Sequence, residues 1–114
     1  MMETMNKKGA GYIRVSTGDQ TNSISAQRDR LIAYGKYNNI ELVDIFVDEG
    51  ISGSTEFGNR YGGSRIIEAI VCKKINCVVA TKLDRLFRST INALSTVDVW
   101  DRKNISLHLS DMGG

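Results

Sequence analysis

The hydrophobic pattern of the chain switches repeatedly between strand-like runs and helix-like stripes. Residues 11–15 form a short apolar strand. Over 23–36, Ile24, Gln27 or Arg28, Leu31 and Gly35 recur at helical spacing, and Ser23 is placed to cap that helix. Residues 40–47 carry apolar side chains on both faces (Ile40, Leu42, Phe46 and Val43, Ile45, Val47), the pattern of a strand covered on both sides. A helical stripe of Ile66, Ile67, Ile70 and Val71 runs through 64–74. Residues 77–81 read as a third strand, apolar until its end. The spacing then predicts one helix over 84–103, burying Phe87, Ile91, Leu94 and Val97. Ile105, Leu107 and Leu109 alternate with Ser106, His108 and Ser110, as in a half-exposed edge strand.

Four strands with three intervening helices predict an α/β fold with a mainly parallel sheet of four to five strands. In such sheets the working site lies beyond the carboxyl ends of the strands. Three segments end there: Tyr12-Ile13-Arg14-Val15-Ser16-Thr17, Asp48-Glu49-Gly50, and Lys82-Leu83-Asp84-Arg85-Leu86-Phe87-Arg88. Residues 48–63 break the compact plan. They hold Gly50, Gly53, Gly58, Gly62 and Gly63 without apolar periodicity, and the whole chain lacks proline. A loop of that length is expected to order when substrate or a partner binds.

Size and composition narrow the classes. The 114 residues make one domain, 41% apolar and 25% charged, with no internal repeat. No apolar run approaches the roughly 18–20 residues of a membrane span, and the polar start of the chain does not resemble a secretory signal. A cytoplasmic protein is the expectation. Cys72 and Cys77 are expected as free, buried thiols, since neither a metal cluster nor a disulfide framework accompanies them. The net charge of +2 announces no partner, but seven basic residues between Arg60 and Arg88 face only Glu68 and Asp84. Such a patch can hold phosphates, with Lys73 and Lys74 read as a solvated helix face.

The candidate chemistry follows from what is present and what is not. Arg14 and Ser16 share parity on their strand, which projects both to one face. Arg85 and Arg88 are three apart at a predicted helix start, with Asp84 as the natural cap, so the helix end and two guanidinium forks make an anion site. His108 is the single histidine and falls on the polar face of the last strand, as a surface residue. A Ser-His-Asp hydrolase is therefore disfavoured, and neither a G-x-S-x-G elbow nor a Walker-type loop is present. What remains is a serine whose transition-state charge is neutralised by arginines, a route to phosphoryl transfer without a metal. Alone, each residue has an ordinary reading: Ser16 or Asp84 as caps, Arg85 and Arg88 as partners of surface carboxylates, Gln27 as a polar boundary residue. Their joint placement at one sheet edge carries the case.

In this arrangement the sequence resembles the catalytic domain of the serine site-specific recombinases: resolvases, DNA invertases and large serine integrases. The matching segments are Tyr12 to Thr17, Gln20, Ser23-Ile24-Ser25-Ala26-Gln27, Asp48-Glu49-Gly50-Ile51-Ser52-Gly53, Arg60, and Lys82 to Leu86 with Arg88. They span nearly the whole chain, and their spacing is closer to the large integrases and transposon recombinases. The resemblance implies a three-layer resolvase-like fold. It implies that Ser16 attacks a DNA phosphodiester, forms a 5′-phosphoserine link and frees a 3′-hydroxyl, with no metal and no ATP. Arg14, Arg85 and Arg88 would bind the scissile phosphate, Arg60 and Lys82 would add phosphate contacts, and Gln20 and Gln27 would orient the serine or the phosphate. Asp84 would position the arginines or take part in proton transfer. The implied partners are DNA and further copies of the chain, as a dimer or tetramer, in a bacterial or phage-encoded cytoplasmic protein.

Three positions depart from the family pattern: Tyr61-Gly62-Gly63 follows Arg60, Asn76 stands where an acidic residue is common, and Phe87 replaces a small residue. Family members also continue past the last strand into an oligomerisation helix and DNA-binding domains. On this reading the 114 residues are the catalytic part of such an enzyme and bind DNA weakly. A DNA- or partner-binding module in which the serine is idle is the competing reading.

Overall fold

The computed structural model describes residues 7–16, 23–87 and 89–112. Four parallel strands stand in the order β2-β1-β3-β4, with β1 at Lys7–Val15, β2 at Ile40–Glu49, β3 at Cys77–Ala80 and β4 at Ser106–Leu109. The helices are α1 (Ile24–Tyr37), α2 (Tyr61–Val71), the single turn α3 (Leu83–Leu86) and α4 (Thr90–Arg102). β1 is buried from Gly9 to its end, as a central parallel strand must be. The α/β expectation holds, with four strands among the described residues.

Two apolar layers sandwich the sheet. On one face Leu31 of α1 packs with Ile13, Ile40, Cys77 and Val79. On the other, Ile66 and Ile70 of α2, Leu86 and Trp100 pack with Tyr12, Val78 and Ala80. The three-layer form therefore follows from alternation along β1 and β3. Ser23 caps α1 as expected, its hydroxyl accepting from the Ala26 N–H at 3.1 Å. Gly35 lies so near the entry of β2 that a Cβ there would sit 3.0 Å from the Ile40 carbonyl.

Several sequence expectations need correction. β2 is an edge strand, and its pairing with β1 skips Val43 through a bulge opposite Gly9 and Ala10, which leaves Val43 46% exposed. Thus β2 is not covered on both sides throughout. Residues 48–63 are not an open loop waiting for a ligand. A 3-10 turn at Phe57–Asn59 buries the Phe57 ring beside Tyr12 and Trp100, and α2 begins at Tyr61 rather than at 64. The glycines after Arg60 serve this close approach: a Cβ on Gly63 would overlap the Phe57 carbonyl, and one on Gly62 would meet the Asp48 carboxylate at 3.0 Å. Cys72 is exposed at the end of α2, whereas Cys77 is buried, and burial pushes its thiol up to about 11.

The single helix predicted over 84–103 is two helices. Phe87 adopts extended backbone, which drives its ring in among Phe57 and Trp100, 6.1 and 6.0 Å between centroids. α4 then starts afresh from Ser89, whose hydroxyl accepts from the Asn92 N–H at 3.1 Å. The restart changes the helix phase. Ala93 and Trp100 face the core, while Ile91 and Leu94 are 80% and 66% exposed.

Candidate active site

β1 delivers the site. Arg14 is its penultimate residue and is buried, and Ser16 stands exposed one residue beyond the strand end. The two carbonyls ahead of Ser16 are both anchored. The Arg14 carbonyl accepts from Arg85 Nη1 at 2.8 Å and from Gln27 Nε2 at 3.2 Å. The Val15 carbonyl accepts from the Gly50 N–H at 2.8 Å, where Gly50 has φ of +75°. That left-handed turn suits glycine and carries the chain out of β2 across the end of β1. The peptide bearing the hydroxyl is thus gripped from α1, from α3 and from the end of β2.

Arg14 and Arg85 hold each other. While Arg85 donates to the Arg14 carbonyl, Arg14 Nε donates to the Arg85 carbonyl at 3.2 Å. Arg14 Nη2 reaches the Asp84 carbonyl at 3.1 Å and Nη1 the Ile51 carbonyl at 2.9 Å. Burial, then the charges of Arg85 and Arg60, lower the Arg14 pKa from its ordinary value. The arginine remains a cation, because its ordinary value stands so far above neutrality. Its side chain fixes α3 and the Ile51 segment to β1.

Arg60 is buried more deeply, at 1% exposure. Its Nε donates to the Thr55 carbonyl at 2.9 Å, Nη2 to Gly53 at 3.2 Å, and Nη1 to the Arg85 carbonyl at 2.6 Å and to the Tyr12 hydroxyl at 3.2 Å. Four of the five N–H donors of a guanidinium are therefore engaged by protein. The expected direct phosphate contact meets a side chain that instead ties residues 53–55 to α3.

Behind Arg60 stands a group that the sequence reading did not assign a role. Asp48, 2% exposed, accepts from the Tyr12 hydroxyl at 2.7 Å and from the Gly62 and Gly63 N–H groups at 2.7 and 3.2 Å. It satisfies the N-terminal donors of α2 that no cap side chain of that helix reaches. Burial, followed by the Asp48 bond, raises the Tyr12 pKa, so the phenol stays protonated and donates. The missed signal was the pairing of Arg14 with Asp48 across β1 and β2, which places Tyr12 and Asp48 within reach of each other.

Asp84 does not cap a helix. α3 is a single turn whose cap position is Lys82, without a side-chain bond, and Asp84 lies in its first turn, 3.4 Å from Arg85 Nε. α3 ends at Leu86 and Phe87 is extended, so the helix expected to start here is a single turn. Lys82 is exposed at the rim and the Arg85 side chain is largely buried. Gln20 and Arg88 lie outside the described residues.

His108 is half-buried rather than on the surface, bonded to the Tyr34 hydroxyl at 3.0 Å and to Ser106 Oγ at 3.2 Å. Through Val79 its register is level with Gly11, four residues short of the end of β1 or roughly 13 Å. That is too far to hydrogen-bond Ser16. The basic run between Arg60 and Arg88 also divides in space. Arg60, Lys82 and Arg85 gather at the carboxyl ends of the strands, while Lys73 and Lys74 lie in the α2–β3 connection at the other end.

The resolvase N-terminal domain profile matches residues 9–113. The chain belongs to that family. This resolvase domain is 36% identical over 98 residues to the Tn552 transposon resolvase of Staphylococcus aureus, covering 86% of this chain and 43% of that protein. It is 30% identical over 103 residues to the serine recombinase PinR of Escherichia coli K12, covering 90% and 49%. Among solved structures it resembles the N-terminal catalytic domain of TP901-1 integrase, with a TM-score of 0.81, 37% identity, and coverage of 92% of this chain and 78% of that one. A resolvase family site-specific recombinase from Streptococcus pneumoniae superposes with a TM-score of 0.77 at 28% identity, covering 95% and 74%. The resolvase domain spans about half the length of the curated relatives it matches, 43% and 49%.

Proposed function

We propose that this resolvase domain cleaves and rejoins DNA with Ser16 as the nucleophile. The observation that carries the reading is the mounting of Ser16: an exposed hydroxyl on a peptide whose two preceding carbonyls are held by Gly50, Gln27 and Arg85. A backbone held in this way presents the hydroxyl to a phosphodiester from a fixed point, which is where positioning lowers a barrier. The Ser16 Oγ–P bond forms as the P–O3′ bond breaks. The serine proton leaves to a base, and the 3′-oxygen takes up a proton. Rejoining runs the same step in reverse with an incoming 3′-hydroxyl.

Arg85 and Arg88, with Lys82 at the rim, neutralise the charge that builds on the phosphoryl oxygens. Arg14 and Arg60 act one step back, holding the Arg85 backbone in register with β1. Gln27 orients the serine through the Arg14 carbonyl, Gln20 orients the serine or the phosphate, and Asp84 positions Arg85 or moves a proton. The reaction needs neither metal nor nucleotide. Strand exchange would take place in a dimer or tetramer of the whole protein, in the cytoplasm of a bacterium. Among the described residues no helix is long and apolar enough to cross a membrane.

The test is a nicked duplex carrying the recombination site, incubated with the longest form of the protein that its gene encodes. A covalent protein–DNA band on a denaturing gel, present with the native chain and lost in Ser16→Ala, is expected. Absence of that band with the native protein would favour a binding module with an idle serine.

A further inference from the structure

The end of the sheet opposite Ser16 holds a second concentration of positive charge. A cleft of about 730 Å³ opens there, with Lys8, Lys73, Lys74 and Lys103 on its walls together with Asn76 and Asn104. The lysines come from three separate places: the start of β1, the α2–β3 connection and the α4–β4 connection. No carboxylate lines this cleft. Acidic residues enter only at its margins, Asp44 and Glu68 in an adjoining cleft and Asp101 in a smaller one beside Lys7.

Two observations separate this cluster from an ordinary solvated surface. Among the described residues, none of the four ammonium groups makes an ion pair or a hydrogen bond, although ion pairs form elsewhere on this surface, as between Arg102 and Asp98 at 2.9 Å. Lys73 and Asn104 also occupy left-handed backbone, with φ of +59° and +62°. Asparagine is at ease there, but a lysine is strained where glycine would not be. The strained position holds a lysine whose ammonium has no protein partner. Lysines beyond a helix C-terminus offset its partial negative charge. That accounts for about one charge at the end of α2 and one at the end of α4, and it leaves Lys8 and a second connection lysine unexplained.

We propose that this cleft is a second binding site for the sugar-phosphate backbone of duplex DNA. The proposal rests on the reading of the chain as a DNA-cleaving domain, which supplies duplex as the polyanion at hand. The nine residues of β1 run the length of the sheet, roughly 26 Å from the cleft to the strand end that bears Ser16. The phosphates here therefore belong to a different stretch of backbone from the scissile one: a bent arm of the same site, or a second duplex. The four ammonium groups are flexible point charges that meet phosphates rather than base edges, so the contact is insensitive to sequence.

The experiment is fluorescence anisotropy of the 114-residue chain with a labelled 30-base-pair duplex lacking any recombination site, across a salt series. The chain is compared with a variant combining Lys8→Gln, Lys73→Gln, Lys74→Gln and Lys103→Gln, and with the matching Lys→Arg variant. The glutamine variant should lose at least tenfold in affinity at low salt. The slope of log affinity against log salt should shrink by about 2–4, close to 0.9 per phosphate contact removed. The arginine variant should bind like the native chain. Equal affinity and slope in the glutamine variant would overturn the proposal, as would a loss of equal size in an arginine variant whose circular dichroism and urea midpoint match the native chain. Absence of native binding at low salt, or binding to single-stranded RNA but not to duplex, would also overturn it. Adduct formation by Ser16 reads the active site separately: a lost adduct with lysine-dependent binding intact strikes that site and leaves this cleft standing.

Discussion

Three arginines meet at the carboxyl end of the sheet, and two of them, Arg14 and Arg60, point their donors at main-chain carbonyls, with Arg60 all but sealed. Nothing in one sequence distinguishes an arginine that meets a phosphate from one that meets a carbonyl, because both acceptors are oxygens presented at the same sheet edge. Asp48 was legible only as part of a motif, since its partners lie on a neighbouring strand and on α2. The chain Asp48–Tyr12–Arg60 should behave as a unit. Tyr12→Phe and Asp48→Asn are each expected to lower the unfolding free energy by about 1–3 kcal/mol in urea, the usual cost of unpairing a buried polar group. The double variant should lose less than the sum, with a coupling of about 0.5 kcal/mol or more. Additive losses would show that the hydroxyl–carboxylate bond carries no weight.

The elements were legible wherever periodicity was strong and uninterrupted. α1 with its Ser23 cap, the buried strands β1 and β3, and the edge position of β4 all follow from the pattern. The pattern failed where a buried aromatic overrode it. Ile91 and Leu94 continue a helical stripe from Phe87, but Phe87 enters the core from extended backbone, and Ser89 restarts the helix in a new phase. Ser89 was the available signal, a cap residue inside a predicted helix. Phe87→Ala should therefore cost about 3–5 kcal/mol. Ile91→Ala and Leu94→Ala, on the exposed face, should stay within about 0.5 kcal/mol of the native chain. Denaturant midpoints of the three variants check this, and a large loss at Ile91 or Leu94 would restore the single-helix reading. The loop over 48–63 failed for the same reason: Phe57 and Arg60 anchor it by contacts distant in sequence.

Across the whole molecule, the sheet separates two ends with different chemistry: Ser16 and the arginines at one, unpaired lysines at the other. Its outer seam has a pH dependence. His108 links β4 to Tyr34 of α1, and burial, with the charge of Lys7, lowers its pKa below the ordinary 6.5. The unfolded chain therefore binds a proton at His108 more readily than the folded one, so this stability is present above about pH 6.5 and is lost as the pH falls below it. Urea unfolding at pH 7.5 and 5.5 should show a larger acid loss for the native chain than for His108→Gln, and equal losses would contradict it. Digestion of the trapped protein–DNA adduct, followed by mass spectrometry, identifies the residue that carries the DNA. A 5′-phosphoryl nucleotide ester on Ser16 is expected, with a free 3′-hydroxyl on the released strand. Attachment at any other residue, or through a 3′-phosphate, would contradict it.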